Sequence, residues 1–435
     1  MQLTRRSLLK SGVLGLGLFG LVGLNGCSTE ASSGSKKGGD GETKKMTLWT
    51  WPEGFGEKLL EEVKTNLKQY DLSQNVIGGD FKQKLTTAFT AASGLPDVTG
   101  VKGQDLPFFL TQDKYFEDLN ELGAKDIKDQ YLEWKWDEAT THDGKQIGIP
   151  IDIGPTVLFY RNDVMEEAGL PSEPDELAKA IHEWDAFIEL GKELKSKREN
   201  TFLIRNCSGM FGTIRAQSGK DFIDEDDNYI GDQEHVRHAW DESLKALDAG
   251  IVAKLQADTA DTAAAVNDGR LPADFGASWH LADLQVDAPE TKGKWRVCKH
   301  PGSPTNNGGS FLTIPKGVDD PKASFELIKF ILNPKNQAYE YQDKGNFPST
   351  PASYEMEEVS GPVEFLGGQK AAEVFGDAAK EVKPVFKHAH SDTVSAPFTA
   401  ELENVESSGK DRDQAWKDAV TASKRMAEQV GLKVR

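Results

Sequence analysis

The sequence predicts an α/β fold, and three observations carry the prediction. Short strand-like runs recur from residue 46 onward. Between them lie helical stripes with apolar residues three and four apart. Strands alternating with helices in this way mark layered α/β architecture. The length, 435 residues, suggests two or three compact units rather than one.

The first segment is excluded from that fold. The chain opens MQLTRRSLLKSG, with Arg5, Arg6 and Lys10 as a basic start. Val13–Leu24 is an apolar run broken by glycines. It is shorter than the roughly 20 residues a membrane-spanning helix needs. Residues 1–26 therefore read as an export signal. Thr4-Arg5-Arg6-Ser7-Leu8-Leu9-Lys10 resembles the twin-arginine export motif. Leu24-Asn25-Gly26-Cys27 resembles a bacterial lipobox, which implies that Cys27 is lipidated and begins the mature protein. Residues 27–45 are then the lipidated cysteine and a flexible tether, rich in Ser, Gly and Lys and poor in anything that can bury a core. A single lipidated site anchors a chain to a membrane surface without spanning it.

Charge narrows the partners. Residues 1–26 carry three basic and no acidic side chains, so their removal leaves 409 residues and takes the net charge from −19 to −22. Nucleic acid is excluded as a partner, because phosphate binding needs a basic surface. With Cys27 lipidated, Cys207 and Cys298 remain. Export permits a disulfide, but two cysteines alone carry no geometry. A bridge and two buried thiols both stay open.

The elements follow in order. Met46–Trp51 is a strand. Glu57–Tyr70 is predicted helical, with Leu59, Leu60, Val63, Leu67 and Tyr70 on one face. A strand is expected at Asn75–Ile77, a helix at Phe81–Ala92 and a strand at Asp97–Val101. Longer helices are predicted at Trp184–Lys197, His235–Ala249, Phe325–Leu332 and Arg412–Val430. Trp184, Trp240 and Trp416 fall on their core faces, while Trp134 and Trp136 read as shielding an edge.

Catalytic constellations are missing from the sequence. It has no Gly-x-Ser-x-Gly elbow, no phosphate-cradling Gly-x-x-x-x-Gly-Lys-Ser/Thr and no His-Glu-x-x-His. His235 with His238, and His388 with His390, read as solvated or packed rather than as metal ligands. The acidic stretch 224–231 has Tyr229 where a calcium loop needs its turn glycine, so it reads as a solvated turn. Glu53 and Asp152 are the carboxylate pair a glycosidase reading would invoke.

Six segments occur in a fixed order: SGLPDV (93–98), DGKQIGIPIDIGPTVLFYRNDVMEEAGLP (143–171), WDAFIELGKELK (184–195), GASW (276–279), GGSFLTIPKG (308–317) and GNFPST (345–350). Together they resemble the extracellular solute-binding proteins of sugar-importing ABC transporters, the group that includes maltose-binding protein. The resemblance covers nearly all of the mature chain. It implies a two-lobed periplasmic-binding-protein-like fold of type II, with three hinge crossings. Lobe 1 would hold 46–152 and 305–346, and lobe 2 would hold 153–304 and 347–435. The crossings would fall near Asp152–Pro155, Pro304–Gly309 and Asn346–Ser349, where Pro and Gly suit a hinge.

The same resemblance implies a receptor without catalytic residues, cofactor or metal. It would capture an oligosaccharide in the interlobe cleft and deliver it to the membrane subunits of an ABC permease. Ligands of such sheets bind beyond the carboxyl ends of strands. That places Trp51 and Glu53 at the cleft, whereas Trp49 packs inside the strand. Trp279, at the end of GASW, matches the family's stacking tryptophan. Phe211 and Phe398 fall where the family places aromatics, with core packing as the alternative. Phe81, Lys82, Gln104 and Asp152 are further candidates, and Ser310 and Phe347 sit at crossings. Indole faces suit the C–H face of a pyranose, and polar groups suit its hydroxyl rim. The sugar stays open between plant-derived manno- or xylo-oligosaccharides and α-linked gluco- or galacto-oligosaccharides. A peptide, polyamine or metal chelate is the non-sugar alternative. A monomer, held at the outer face of the cytoplasmic membrane through Cys27, is expected.

Overall fold

The computed structural model describes residues 43–52 and 54–435. Residues 1–42, on which the expected export signal, Cys27 and most of the expected tether fall, and Glu53 lie outside the described residues. The strands in chain order are β1 (Lys44–Thr50), β2 (Tyr70–Val76), β3 (Val98–Val101), β4 (Ile149–Pro150), β5 (Asp152–Ile153), β6 (Val157–Arg161), β7 (Ala273–Gly276), β8 (Trp295–Cys298), β9 (Phe311–Thr313) and β10 (Phe347–Pro348).

The first sheet has the order β2-β1-β3-β9-β4. β1 runs parallel to β2 and β3, and β9 runs antiparallel to β3 and β4. In β1, buried Met46, Leu48 and Thr50 alternate with half-buried Thr47 and Trp49, the period of two that a strand imposes. All of β3 is buried, as a strand covered on both faces must be. Asp80 caps the helix Phe81–Ala91 by accepting from the Gln83 N–H at 2.9 Å.

The helix expected at Phe325–Leu332 begins earlier, at Pro321, and the boundary between the first helix and β2 also differs from the expectation. The helix that starts at Glu57 stops at Asn66, and Tyr70 already belongs to β2. Leu67 and Tyr70 continue the helical spacing, but Tyr70 and Leu72 also alternate with exposed Asp71 and Ser73. Pairing with all seven residues of β1, from Lys44 opposite Tyr70 to Thr50 opposite Val76, settles the contest for the strand.

The second sheet has the order β7-β6-β8, with both pairings antiparallel. Helices Trp184–Lys197, Cys207–Gln217, Glu234–Asp248, Ser391–Ser408 and Arg412–Gln429 contribute its main apolar core. Trp184 and Trp240 are buried and Trp416 packs on Trp240 at 5.5 Å, the core roles their helical spacing predicts. Trp136 is buried in the first core, whereas Trp134 is half-buried and donates to the Ala379 carbonyl at 3.0 Å. Cys207 and Cys298 are both free and buried, so no bridge joins them. Burial pushes both thiols up.

Three segments pass between the sheets side by side. β5 pairs with β10, and Pro155 bridges to Asn306. Ile151 N–H donates to the Ser310 carbonyl at 2.8 Å, and Asn307 N–H donates to the Gly154 carbonyl at 2.8 Å. The helix Pro334–Lys344 belongs to both sides. Its Ala338 packs with Phe347 and Phe375, while both Glu340 carboxylate oxygens accept from the Gly56 N–H at 3.1 Å.

Candidate functional site

The first side of the site grows from the carboxyl ends of β1 and β3. Trp51 follows β1 directly and is half-buried. Its ring meets the edge of Phe81 at 5.6 Å and an interplanar angle of 84°. It lies across Gly100, where a Cβ would come within 2.5 Å of Trp51 Cζ3. Any side chain at 100 would therefore lift the indole. Lys102 places its ammonium 5.3 Å from the Trp51 ring. Lys82 stands 4.0 Å from Asp105 and 4.3 Å from the Phe108 ring centre. Gln104 is exposed beside them. Burial holds the Asp105 carboxyl above its ordinary range, against the pull of Lys82 and Lys102, and Asp392 adds to the rise. Asp392 lies in the first turn of Ser391–Ser408, so the second side of the molecule approaches the first here.

Trp279 dominates the second side. It follows β7 by three residues and caps the helix His280–Asp287. The residue is half-buried. Its neighbour Ser278 donates to the Gly345 carbonyl at 2.6 Å. The indole tip lies against the crossings: a Cβ on Gly308 would sit 3.5 Å from both Cη2 and Cζ2.

Ser310 is half-buried and its N–H donates to Asp152 Oδ1 at 2.8 Å. Asp152 is 6% exposed. Burial pushes its carboxyl up to about 6, opposed by the Ser310 N–H and Lys135. This carboxylate ties two crossings together instead of facing a ligand, which corrects its reading as a contact residue.

Four aromatic expectations are also corrected. Phe211 and Phe398 stack on each other at 6.1 Å and 13°, inside a cluster with Phe222 and Trp240. They are 3% and 0% exposed, so they are core. Phe347 is fully buried against Tyr341, Tyr354 and Phe375. Phe81 is buried and supports Trp51 from behind. Trp51, Lys82, Gln104, Trp279 and Ser310 keep exposed surface. Lys102, which no sequence pattern singles out, stands just beyond the end of β3, where such sheets hold ligands.

Residues 67–366 match the family model for bacterial extracellular solute-binding proteins. The chain belongs to this family. As an extracellular solute-binding protein it works outside the cytoplasm, and it binds rather than transforms its solute. No helix among the described residues is long and apolar enough to cross a membrane. The chain is 25% identical over 399 residues to a lactose-binding protein of Rhizobium radiobacter, covering 86% of this chain and 90% of that one. It is 28% identical over 222 residues to an arabinooligosaccharide-binding protein of Bacillus subtilis (strain 168), covering 47% of this chain and 46% of the relative. A crystal structure of an extracellular solute-binding protein of family 1 superposes with a TM-score of 0.83 at 27% identity, covering 88% of this chain and 100% of the other. That likeness bears out the two-lobed α/β binding-protein fold.

Proposed function

We propose that this solute-binding protein captures an oligosaccharide between Trp51 and Trp279 and delivers it to an ABC permease. The observation that carries the reading is the pair of half-buried indoles, one at the end of β1 in the first sheet and one beyond β7 in the second. Each aromatic side chain offers on the order of 150–250 Å² of surface for a pyranose face. Lys82, Gln104 and Ser310 supply donors for the hydroxyl rim, with Glu53, two residues on from Trp51 in sequence, as a carboxylate acceptor. Relatives named for lactose and arabinooligosaccharide support a sugar. Lobe 1 (46–152, 305–346) and lobe 2 (153–304, 347–435) close around the ligand, to the extent that the ligand prefers the closed state. The protein acts as a monomer, tethered to the outer face of the cytoplasmic membrane through lipidated Cys27.

Calorimetric titration tests this. The panel holds lactose and arabino-, manno-, xylo-, gluco- and galacto-oligosaccharides. Micromolar or tighter binding to one class, with the sugar recovered intact, is expected. A flat panel against verified folded protein would overturn the sugar reading in favour of a peptide, polyamine or metal chelate.

A further inference from the structure

Lys135 is an ammonium with no exposed side-chain surface. It lies in the short helix Glu133–Asp137, in a stretch whose alternating charges suggest a solvated face. A buried charge persists only when it is paired and its donors are met. Here the three donors are used: Glu138 Oε2 at 2.7 Å, the Gly308 carbonyl at 3.1 Å and the Gly309 carbonyl at 3.2 Å. The ring of Phe311 lies 4.4 Å from the same nitrogen.

Two successive carbonyls turn to one ammonium because Gly308 and Gly309 both hold left-handed φ, +95° and +83°. Space forbids a side chain at 309, where a Cβ would fall 2.5 Å from the Asp152 carbonyl oxygen and 2.9 Å from Lys135 Nζ. The network runs on from there. Glu138 Oε1 accepts from Asn306 Nδ2 at 3.3 Å, and Asn306 Oδ1 accepts from the Gly154 N–H at 2.9 Å. The Trp279 ring tip lies against both Gly154 and Gly308. The backbone that Lys135 holds is thus the wall behind that ring.

We propose that Lys135 is a positioning residue for ligand binding, which fixes the Gly308–Gly309 crossing and through it the seat of the Trp279 indole. The proposal rests on the reading of Trp279 as a sugar platform. Lys135 itself has no exposed atom to offer a ligand, so it acts only through the crossing.

The test is a double-mutant cycle. Lys135→Met keeps the aliphatic stem and removes the charge, and Trp279→Phe keeps a ring without the indole tip. Affinity for the sugar found in the panel is measured for the wild type, both single variants and the double variant. Lys135→Met is expected to weaken binding about tenfold with faster dissociation, but by less than about twofold in the Trp279→Phe background. Equal losses in both backgrounds would overturn the proposal. A second readout needs no sugar: acrylamide quenching of the Trp279 contribution, taken as the difference between each protein and its Trp279→Phe counterpart. Greater quenching in Lys135→Met supports the positioning role, and unchanged quenching sinks it. If wild type binds no sugar, the functional reading falls while quenching still decides the role of Lys135. Should Lys135→Met fail to fold, Glu138→Gln weakens the ion pair and is read the same way.

Discussion

The tip of the Trp279 indole rests on Gly154 so closely that a Cβ there would lie 2.3 Å from Cη2. The same Cβ would lie 2.3 Å from the Asn307 carbonyl oxygen, which belongs to the neighbouring crossing. A ring can turn aside, but a backbone carbonyl inside a paired crossing cannot do so cheaply. Gly154→Ala is therefore expected to destabilise the protein by about 1–3 kcal/mol, the usual cost of overpacking. Chemical denaturation measures this. An unchanged midpoint would mean that the crossings shift freely.

Removal of the ring has the opposite balance. Trp279 is half-buried and sits at a helix cap, so little core depends on it. Trp279→Ala should cost about 1 kcal/mol of stability or less, while sugar affinity falls by at least about 2 kcal/mol, as for a central aromatic anchor. Calorimetry beside a melting curve separates the two. Retained affinity would remove Trp279 from the site.

On the first side the same logic applies through Gly100. A Cβ there would strike Trp51 Cζ3 at 2.5 Å. Gly100→Val should lift the indole off β3 and weaken binding about tenfold, since a shift near 1 Å in a binding constellation is costly. Trp51→Ala should show a similar loss, and the two losses should not add. Additive losses would mean that Gly100 acts elsewhere.

The strand ends were legible because both periodicities are local: β1 alternates, and the helix over 81–91 keeps its stripe. Trp51 and Trp279 could be nominated from the sequence for a related reason, since each follows a strand end in a fold whose ligands gather there. Phe398 was not. An aromatic residue reads alike in sequence whether it meets ligand or core, and the helix Ser391–Ser408, which contains Pro397, turns Phe398 inward onto Phe211. Lys135 was hidden more deeply. Its partners at Gly308 and Gly309 lie 173 and 174 residues away, and no local pattern records them.

His300 predicts a pH dependence. It is 4% exposed, its Nε2 lies 2.9 Å from Thr156 Oγ1, and burial drives its pKa down from 6.5 to about 4. Between those values the unfolded chain takes up a proton that the folded chain refuses. The stability from neutral His300 is thus full above about pH 6.5 and is lost as pH falls through 4, about 3 kcal/mol in all. Burial raises Asp152 to about 6 and Glu340 to about 7, and these carboxyls favour the folded state on the acid side. They are common to wild type and His300→Gln, so the comparison cancels them. The stability difference between the two proteins, wild type minus variant, should shrink by about 3 kcal/mol from pH 7 to pH 4. A constant difference across that range would place the proton elsewhere.

Phe398 separates core from cleft most sharply. The ring is fully buried and touches Phe211, Phe222, Trp240 and Trp416, which lie on other segments of the second core. Truncation leaves a cavity that four rings on separate elements cannot all collapse to fill. Phe398→Ala should therefore cost about 3–5 kcal/mol of folding stability. The surviving folded protein should bind sugar with wild-type affinity when titrated well below its melting temperature, because no atom of Phe398 reaches solvent. A variant that melts like wild type and binds weakly would return Phe398 to the cleft, and with it the stacked partner Phe211.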